Sequence, residues 1–357
     1  MSGRPTFLTD LRLEQVEQLL QTLGEPGWRA KPLLAWAYQK KADSFECMTD
    51  LPKASREKLP ENLTFSSVKE LELLVSHDGT RKALLELWDG CTIETVLVPA
   101  GRGQFSVCVS SQVGCAVGCP FCASGRTGFE RNLGVAEICD QVLYFAKQLC
   151  QGETIGNIVF MGMGEPLTNY LDVIQAAGHL NAPWGFGLGA RNITISTAGY
   201  IPGIEKLGRE KLQLGLAVSL HAADNALRNR LVPLNRKYPL DKLIAATDAY
   251  VRASGRRVTF EYALFAGVND SPEQARQLAL LLRGLNCHVN LIGANFTGED
   301  SWQASSPDVA AAFEAELKRL RITVTLRKSL GRDIKAACGQ LKSSHQQRGI
   351  DALTGVS

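Results

Sequence analysis

The sequence contains no apolar run long enough to cross a bilayer. Charged or polar side chains interrupt each one well short of the roughly 20 residues that a spanning helix needs. Its first residues, Met1-Ser2-Gly3-Arg4-Pro5, lack the apolar h-region of a secretory signal. Neither sign of charge dominates, since 39 Lys and Arg stand against 36 Asp and Glu for a net charge of +3. Bulk charge therefore gives no argument for nucleic-acid binding, which would have to rest on local clusters or on chemistry. There is no internal repeat and no low-complexity segment. These absences lead to the expectation of a cytoplasmic protein without a membrane partner, and they change the meaning of the ten cysteines. Without a secretory route, so many cysteines argue for metal or redox chemistry rather than a disulfide framework.

At 357 residues the chain is long enough for one large domain and a smaller appendage. Residues 1–62 read as a helical accessory domain, because Leu11, Leu13, Val16, Leu19 and Leu20 recur at near-helical spacing and Leu33, Leu34, Trp36 and Ala37 follow in a second segment. Its basic residues, Arg29, Lys31, Lys40 and Lys41 among them, are offset by acids and suit either a solvated face or RNA docking. Residues 63–103 read as a β-meander extension: the runs 68–76, 83–88 and 92–98 are separated by His77-Asp78-Gly79-Thr80 and by Asp89-Gly90, and Asp-Gly between alternating apolar runs marks a hairpin.

From residue 104 to 345, ahead of a tail at 346–357, strand and helix patterns alternate. Strands are expected at 105–110, 157–162, 192–197, 214–220, 257–265, 287–292 and 322–327, with helices such as Val135 to Leu149 between them. Repeated βα units with β-branched strands imply an α/β fold with a parallel sheet, here a partial βα barrel of about six units. Active sites in such barrels lie at the C-terminal ends of the strands.

Cys115-Ala116-Val117-Gly118-Cys119-Pro120-Phe121-Cys122 follows the first of those strands. Thiolates at this spacing can converge on one metal centre, because Gly118 and Pro120 let the loop fold back on itself. A structural zinc needs four protein ligands, and Cys108 or a histidine would have to complete the set. Three thiolates on a four-iron cluster leave one iron open to another ligand. The spacing, with Phe121 before the last cysteine, resembles the signature of the radical S-adenosylmethionine (SAM) superfamily. That resemblance implies a 4Fe-4S cluster held by Cys115, Cys119 and Cys122, an open iron that chelates SAM, and a 5′-deoxyadenosyl radical as the reactive product.

The next strands end in polar tips. Met161-Gly162-Met163-Gly164-Glu165-Pro166 resembles the superfamily segment that meets the methionine part of SAM, with Gly164 allowing close approach and Glu165 placed to receive an ammonium group. Ser196, Ser219 and His221 end the third and fourth strands, and Asn295 follows the sixth. Short hydroxyls at strand tips suit a ribose or a carboxylate.

Four segments narrow the resemblance: Cys108 to Cys115, Phe160 to Leu167, Val218 to Ala222 and Asp333-Ile334-Lys335-Ala336-Ala337-Cys338-Gly339-Gln340-Leu341. Together they resemble the RlmN/Cfr family of RNA adenosine methyltransferases over nearly the whole chain. The resemblance implies methylation of an adenine carbon too poor a nucleophile for direct transfer from SAM. Cys338 would take a methyl group from one SAM. The radical from a second SAM would activate that methyl for addition to the base. Glu94 would accept the ring proton, and Cys108 would attack the sulfur of Cys338 to release product as a disulfide forms. On residues alone an exposed strand glutamate is the lesser alternative for Glu94. The implied substrates are carbon-2 of adenosine in 23S rRNA and in transfer RNA, and Pro166 favours that reading over the Cfr-like carbon-8 alternative. The implied partners are RNA and an electron-donor protein such as flavodoxin or ferredoxin, acting on a monomer. An RNA-binding protein with a structural or redox-sensing cluster is the competing class.

Three further expectations concern other residues. Cys47, Cys91, Cys139, Cys150 and Cys287 sit on apolar stretches and read as small core residues. Arg319, Arg321, Arg327, Lys328 and Arg332 form a basic run ahead of Cys338, suited to phosphate contacts or to a solvated helix face. The loop 293–306 departs from the family pattern, with Phe296 rather than proline after Asn295.

Overall fold

Two Asp-Gly turns set the first strands in register. Gly79 and Gly90 adopt φ of +86° and +83°, a region open to glycine at little cost. They connect β1 (Val68–Val75), β2 (Arg81–Leu87) and β3 (Thr92–Gly101), and the antiparallel run continues into β4 (Gln104–Cys108). Beyond β4 every pairing in the main sheet is parallel: β7 (Thr154–Phe160), β8 (Ile193–Thr197), β9 (Gly215–Ser219), β10 (Val258–Leu264), β11 (Cys287–Gly293) and β12 (Val324–Arg327). The meander and the parallel strands thus share one ten-stranded sheet in the order β1-β2-β3-β4-β7-β8-β9-β10-β11-β12. A small separate ribbon pairs β5 (Gln112–Gly114) with β6 (Phe129–Asn132) and brackets the cysteine loop. This computed structural model describes residues 4–295 and 302–341.

The parallel strands run in chain order without a reversal, which is the winding of a barrel rather than of a doubly wound open sheet. β1 and β12 are its two edges, so the barrel is partial. Helices such as Val135–Lys147, Tyr170–Asn181, Leu240–Ser254 and Pro307–Arg319 connect the strands. Leu216, Ala217 and Val218 of β9 and Phe260, Tyr262 and Leu264 of β10 are buried, as strands covered on both faces must be. The seven strands expected from the sequence all form, each within three residues of its expected bounds. The β5–β6 ribbon was not foreseen, because its strands are too short to show a period.

The N-terminal unit holds three helices, Leu13–Thr22, Ala30–Tyr38 and Lys53–Asn62, and docks on the barrel through Asp140 of helix Val135–Lys147. One Asp140 oxygen accepts from Thr9 Oγ1 at 2.9 Å, and the other accepts from Ser67 N and Ser67 Oγ at 2.7 Å each. Burial pushes the carboxyl up to about 6 against the pull of those donors.

After β12 the chain has neither helix nor strand through residue 341. It crosses back over the strand ends to the β1–β2 turn, where Asp333 accepts from Ser76 Oγ at 2.6 Å and Asp78 accepts from Gly331 N at 2.8 Å. Of the cysteines expected in the core, Cys139 and Cys287 are buried, whereas Cys47 and Cys150 are exposed and Cys91 is half-buried. Those three fall in a 3-10 turn, a loop and the β2–β3 hairpin, where apolar neighbours in sequence do not bring burial. Among the described residues no helix is long and apolar enough to cross a membrane.

Candidate active site

One pocket at the C-terminal ends of the parallel strands collects most of the residues singled out above. Its walls include Cys115, Cys119 and Cys122, Gly164 and Glu165, Ser196, Ser219, His221, Asn295 and Cys338. The β5–β6 ribbon carries Cys115 in on one side, and Cys122 caps the short helix Ala123–Arg126 on the other. All three thiols are raised by burial, Cys115 to about 12, with Cys122 acting on both of its partners. Among the described residues no three His, Cys, Asp or Glu groups close on a single ion. Cys108, the thiol that would have completed a zinc site, lines a neighbouring cavity instead. Three thiols around one pocket fit a cluster whose irons are spread over several ångströms, with one iron left for another ligand.

The glycines of the second strand tip are required sterically. A Cβ at Gly162 would lie 2.7 Å from Val109 O, and one at Gly164, where φ is +101°, would lie 2.6 Å from Gln112 Cβ. Glu165 is buried; Oε1 accepts from Leu167 N at 3.1 Å and Oε2 from Ala198 N at 2.6 Å. Burial raises its carboxyl to about 7 despite those donors. Gln112 Oε1 accepts from Glu165 N, and its Nε2 donates to Asn132 and Thr168, so the ribbon and the strand tip form one unit.

His221 takes φ +60°, unusual for a residue with a side chain. Ala263 N donates to its Nδ1 at 3.0 Å, and burial lowers the ring to about 3, so it is neutral with its proton on Nε2. Phe121 meets the ring edge-on at 5.1 Å, which ties the cysteine loop to the β9 tip. The same tip is braced by Arg228, a fully buried arginine. Its guanidinium donates to Leu220 O, Ala198 O, Ser219 O and Asn235 Oδ1.

Cys108 and Glu94 stand apart from this pocket. Cys108 lines a second cavity with Val96, Met161, Arg327 and Lys328, and Cys338 borders both cavities. Burial and the nearby Cys338 thiol push Cys108 up to about 12. Glu94 is buried rather than exposed on its strand, and its Oε1 pairs with Lys82 Nζ at 2.9 Å. Lys82 also donates to Lys335 O at 3.2 Å, three residues before Cys338. The basic run divides: Arg319 pairs with Glu316 on an exposed helix face, while Arg327 and Lys328 face the second cavity. Of the loop 293–306, residues 296–301 lie outside the described residues, as does the tail 346–357.

Residues 109–279 match the Radical SAM superfamily, and residues 6–64 match the ribosomal RNA large subunit methyltransferase N-terminal domain. A Moorella thermoacetica protein named probable dual-specificity RNA methyltransferase RlmN is 46% identical over 346 residues, 95% of this chain and 98% of that one. The chain belongs to the RlmN family of radical SAM RNA methyltransferases. A Bacillus licheniformis protein of the same name is 44% identical over 96% of this chain and 95% of its own length. A crystal structure of a radical SAM methyltransferase from Sphaerobacter thermophilus superposes with a TM-score of 0.93 at 46% identity, covering 95% of this chain and all of that one. Membership makes the chain an RNA methyltransferase and implies a 4Fe-4S cluster and SAM, for which the three-thiol pocket is suited.

Four residues around the site escaped the sequence reading. Gln112, Lys82 and Arg228 act on main chain or on a partner distant in sequence, and nothing local marks them. Glu261 left a signal: it is a charge inside Val258-Thr259-Phe260-Glu261-Tyr262-Ala263-Leu264, a strand otherwise fit for burial on both faces.

Proposed function

We propose that this enzyme methylates carbon-2 of adenosine in 23S rRNA and in transfer RNA, carrying the methyl group on Cys338. The observation that bears most weight is the position of Cys338 on the border of two cavities, one with the cluster cysteines and one with Cys108. A carrier must face its methyl donor and then its acceptor, and among the described residues Cys338 is the one thiol on both walls, which it shares with the unreactive side chains of Met161 and Ile292. The names of the relatives, dual-specificity RNA methyltransferases, support two RNA substrates.

Bound in the first pocket, the cluster and SAM supply a methyl group and, on reduction, a 5′-deoxyadenosyl radical. Cys115, Cys119 and Cys122 hold the cluster; Gly164, Glu165, Ser196, Ser219, His221 and Asn295 orient SAM. Cys338 accepts the methyl group as a thiolate, displacing S-adenosylhomocysteine. Asn295 Nδ2 donates to Cys338 O at 3.2 Å and keeps that loop against the pocket. Once the activated methyl carbon has joined the base, the adduct must lose its unpaired electron, back to the oxidised cluster, and Glu94, whose Oε1 pairs with Lys82 Nζ, takes the ring proton to leave a closed-shell thioether. Cys108 then attacks the Cys338 sulfur, the sulfur–carbon bond breaks with its electron pair on carbon, and protonation gives the methyl product. The Cys108–Cys338 bridge is transient, and both thiols are free here. A small cytoplasmic flavodoxin or ferredoxin supplies electrons to the monomer, and the N-terminal helices dock RNA.

Anaerobic turnover of the cluster-loaded enzyme with 23S rRNA and tRNA, followed by nucleoside mass spectrometry, tests this. The expected product is 2-methyladenosine from both RNAs. An 8-methyl product would overturn the assignment, and absence of 5′-deoxyadenosine would return the chain to RNA binding alone.

A further inference from the structure

Glu261 is the charged residue of the first pocket that no step above uses. It is 4% exposed, on the inner face of β10, and it lines the pocket beside Ser219 and Cys338. Its Oε1 accepts from Asn290 Nδ2 at 3.1 Å, while its Oε2 is buried with no hydrogen-bond partner among the described residues. A buried carboxylate oxygen without a donor is costly, so a native protein keeps one where a ligand or water completes it.

The carboxylate is also held in place. Asn290 is its register partner on β11, and Asn290 Oδ1 lies 2.9 Å from His288 Nε2, itself 3.1 Å from Thr325 Oγ1 of β12. This row of polar side chains fixes the Oε1 end and leaves the Oε2 end for the pocket. On the other flank Ser219 is the register partner of Glu261 on β9 and also lines the pocket. Asn295 Oδ1, on the wall of the same pocket, is a second buried acceptor without a partner among the described residues. This wall therefore presents acceptors and needs a ligand rich in donors.

SAM contains one pair of adjacent hydroxyl donors, its ribose diol. Its carboxylate is an acceptor that Glu261 would repel, and its amino group is committed to the cluster end of the pocket, near Glu165. We propose that Glu261 holds the nucleoside of SAM, its free oxygen accepting a hydrogen bond from a ribose hydroxyl while Ser219 meets the neighbouring one. The proposal rests on the SAM-dependent reading above and adds a ligand-binding residue to it.

The test is equilibrium dialysis of cluster-loaded protein under anaerobic conditions against three probes: SAM, its 2′,3′-dideoxyribose analogue, and an analogue lacking the adenine amine. Glu261→Ala is expected to weaken SAM by about 10- to 100-fold, the range of a lost hydrogen bond to a charged group. Glu261→Gln, which keeps an acceptor oxygen, is expected to stay within about fivefold of the parent. The dideoxy analogue should bind the parent and the Glu261→Ala variant alike, since it has no donor to lose. Unchanged SAM affinity in Glu261→Ala overturns the proposal, as does a loss that persists with the dideoxy analogue or disappears only when the adenine amine is removed. If Glu261→Ala fails to fold, the unaltered protein still decides: equal affinity for SAM and the dideoxy analogue sinks the idea. Failure of the unaltered protein to bind SAM at all would instead sink the functional reading itself.

Discussion

The two halves of the active site are built differently. The strand tips that line the first pocket are extensions of the sheet, so main-chain pairing already places Ser196, Ser219 and Glu261, and Arg228 ties three adjacent carbonyls together. The segment 328–341 that carries Cys338 has no regular structure and hangs from separate hydrogen bonds. Asp333 meets Ser76, Lys335 O meets Lys82, Gly339 O meets Ala123 N, and Leu341 O meets Ser124 Oγ. A site that must hold SAM in one pose gains from preorganisation in a sheet. A thiol that serves two cavities in turn, as proposed for Cys338, would gain from a support whose contacts can be exchanged singly.

The largest effects should separate these halves outright. Alanine at Cys115, Cys119 or Cys122 is expected to reduce 5′-deoxyadenosine formation to background, measured by chromatography after anaerobic reduction with SAM. Cys338→Ala should leave that product while RNA methylation falls on the order of 1,000-fold or more, as for loss of a covalent nucleophile. If Cys338→Ala also stopped SAM cleavage, the halves would not be separable. Next in size is Cys108→Ala, which should stall after attachment and trap a protein–RNA adduct visible as a denaturation-resistant band. Normal turnover of that variant would remove Cys108 from the release step.

The division also explains what could be read from the sequence. The strands of the barrel announce themselves through runs such as Ile193-Thr194-Ile195 and Leu216-Ala217-Val218, and once their order is known the tip residues fall on one rim. The residues that brace the rim do not. Arg228 bonds to carbonyls, which any residue supplies, and Gln112 reaches a backbone N–H more than 50 residues away. Cys338 was legible only through the family resemblance, because a segment without periodicity carries no structural signal of its own. Glu94 shows the limit from the other side: alternation in β3 puts it on the face of Val96, but its burial depends on Lys82 across the hairpin.

That pair gives the third prediction. Lys82→Met keeps the length of the side chain but removes the buried ion pair with Glu94 and the bond to Lys335 O. Breaking a buried pair costs about 3 kcal/mol, so the melting temperature should fall by several degrees. RNA methylation should fall further than SAM cleavage, since the damage lies on the Cys338 side. Equal losses in both assays would mean that the meander supports the whole mouth.

The smallest change asks whether a single anchor matters. Ser76→Ala removes the 2.6 Å hydrogen bond to Asp333 while the backbone bond from His77 N to the same carboxylate remains. Asp333 is exposed, so water recovers most of what a hydrogen bond to its carboxylate contributes. The expected result is a decrease of about two- to fivefold in RNA methylation, with SAM affinity and 5′-deoxyadenosine formation unchanged. A shift in SAM affinity would show that the Cys338 segment is coupled to the strand tips and that the sheet alone does not hold them. No change in methylation would place the working position of Cys338 in the hands of its other anchors, above all the main-chain bond from Ala123 to Gly339, which a side-chain substitution does not reach.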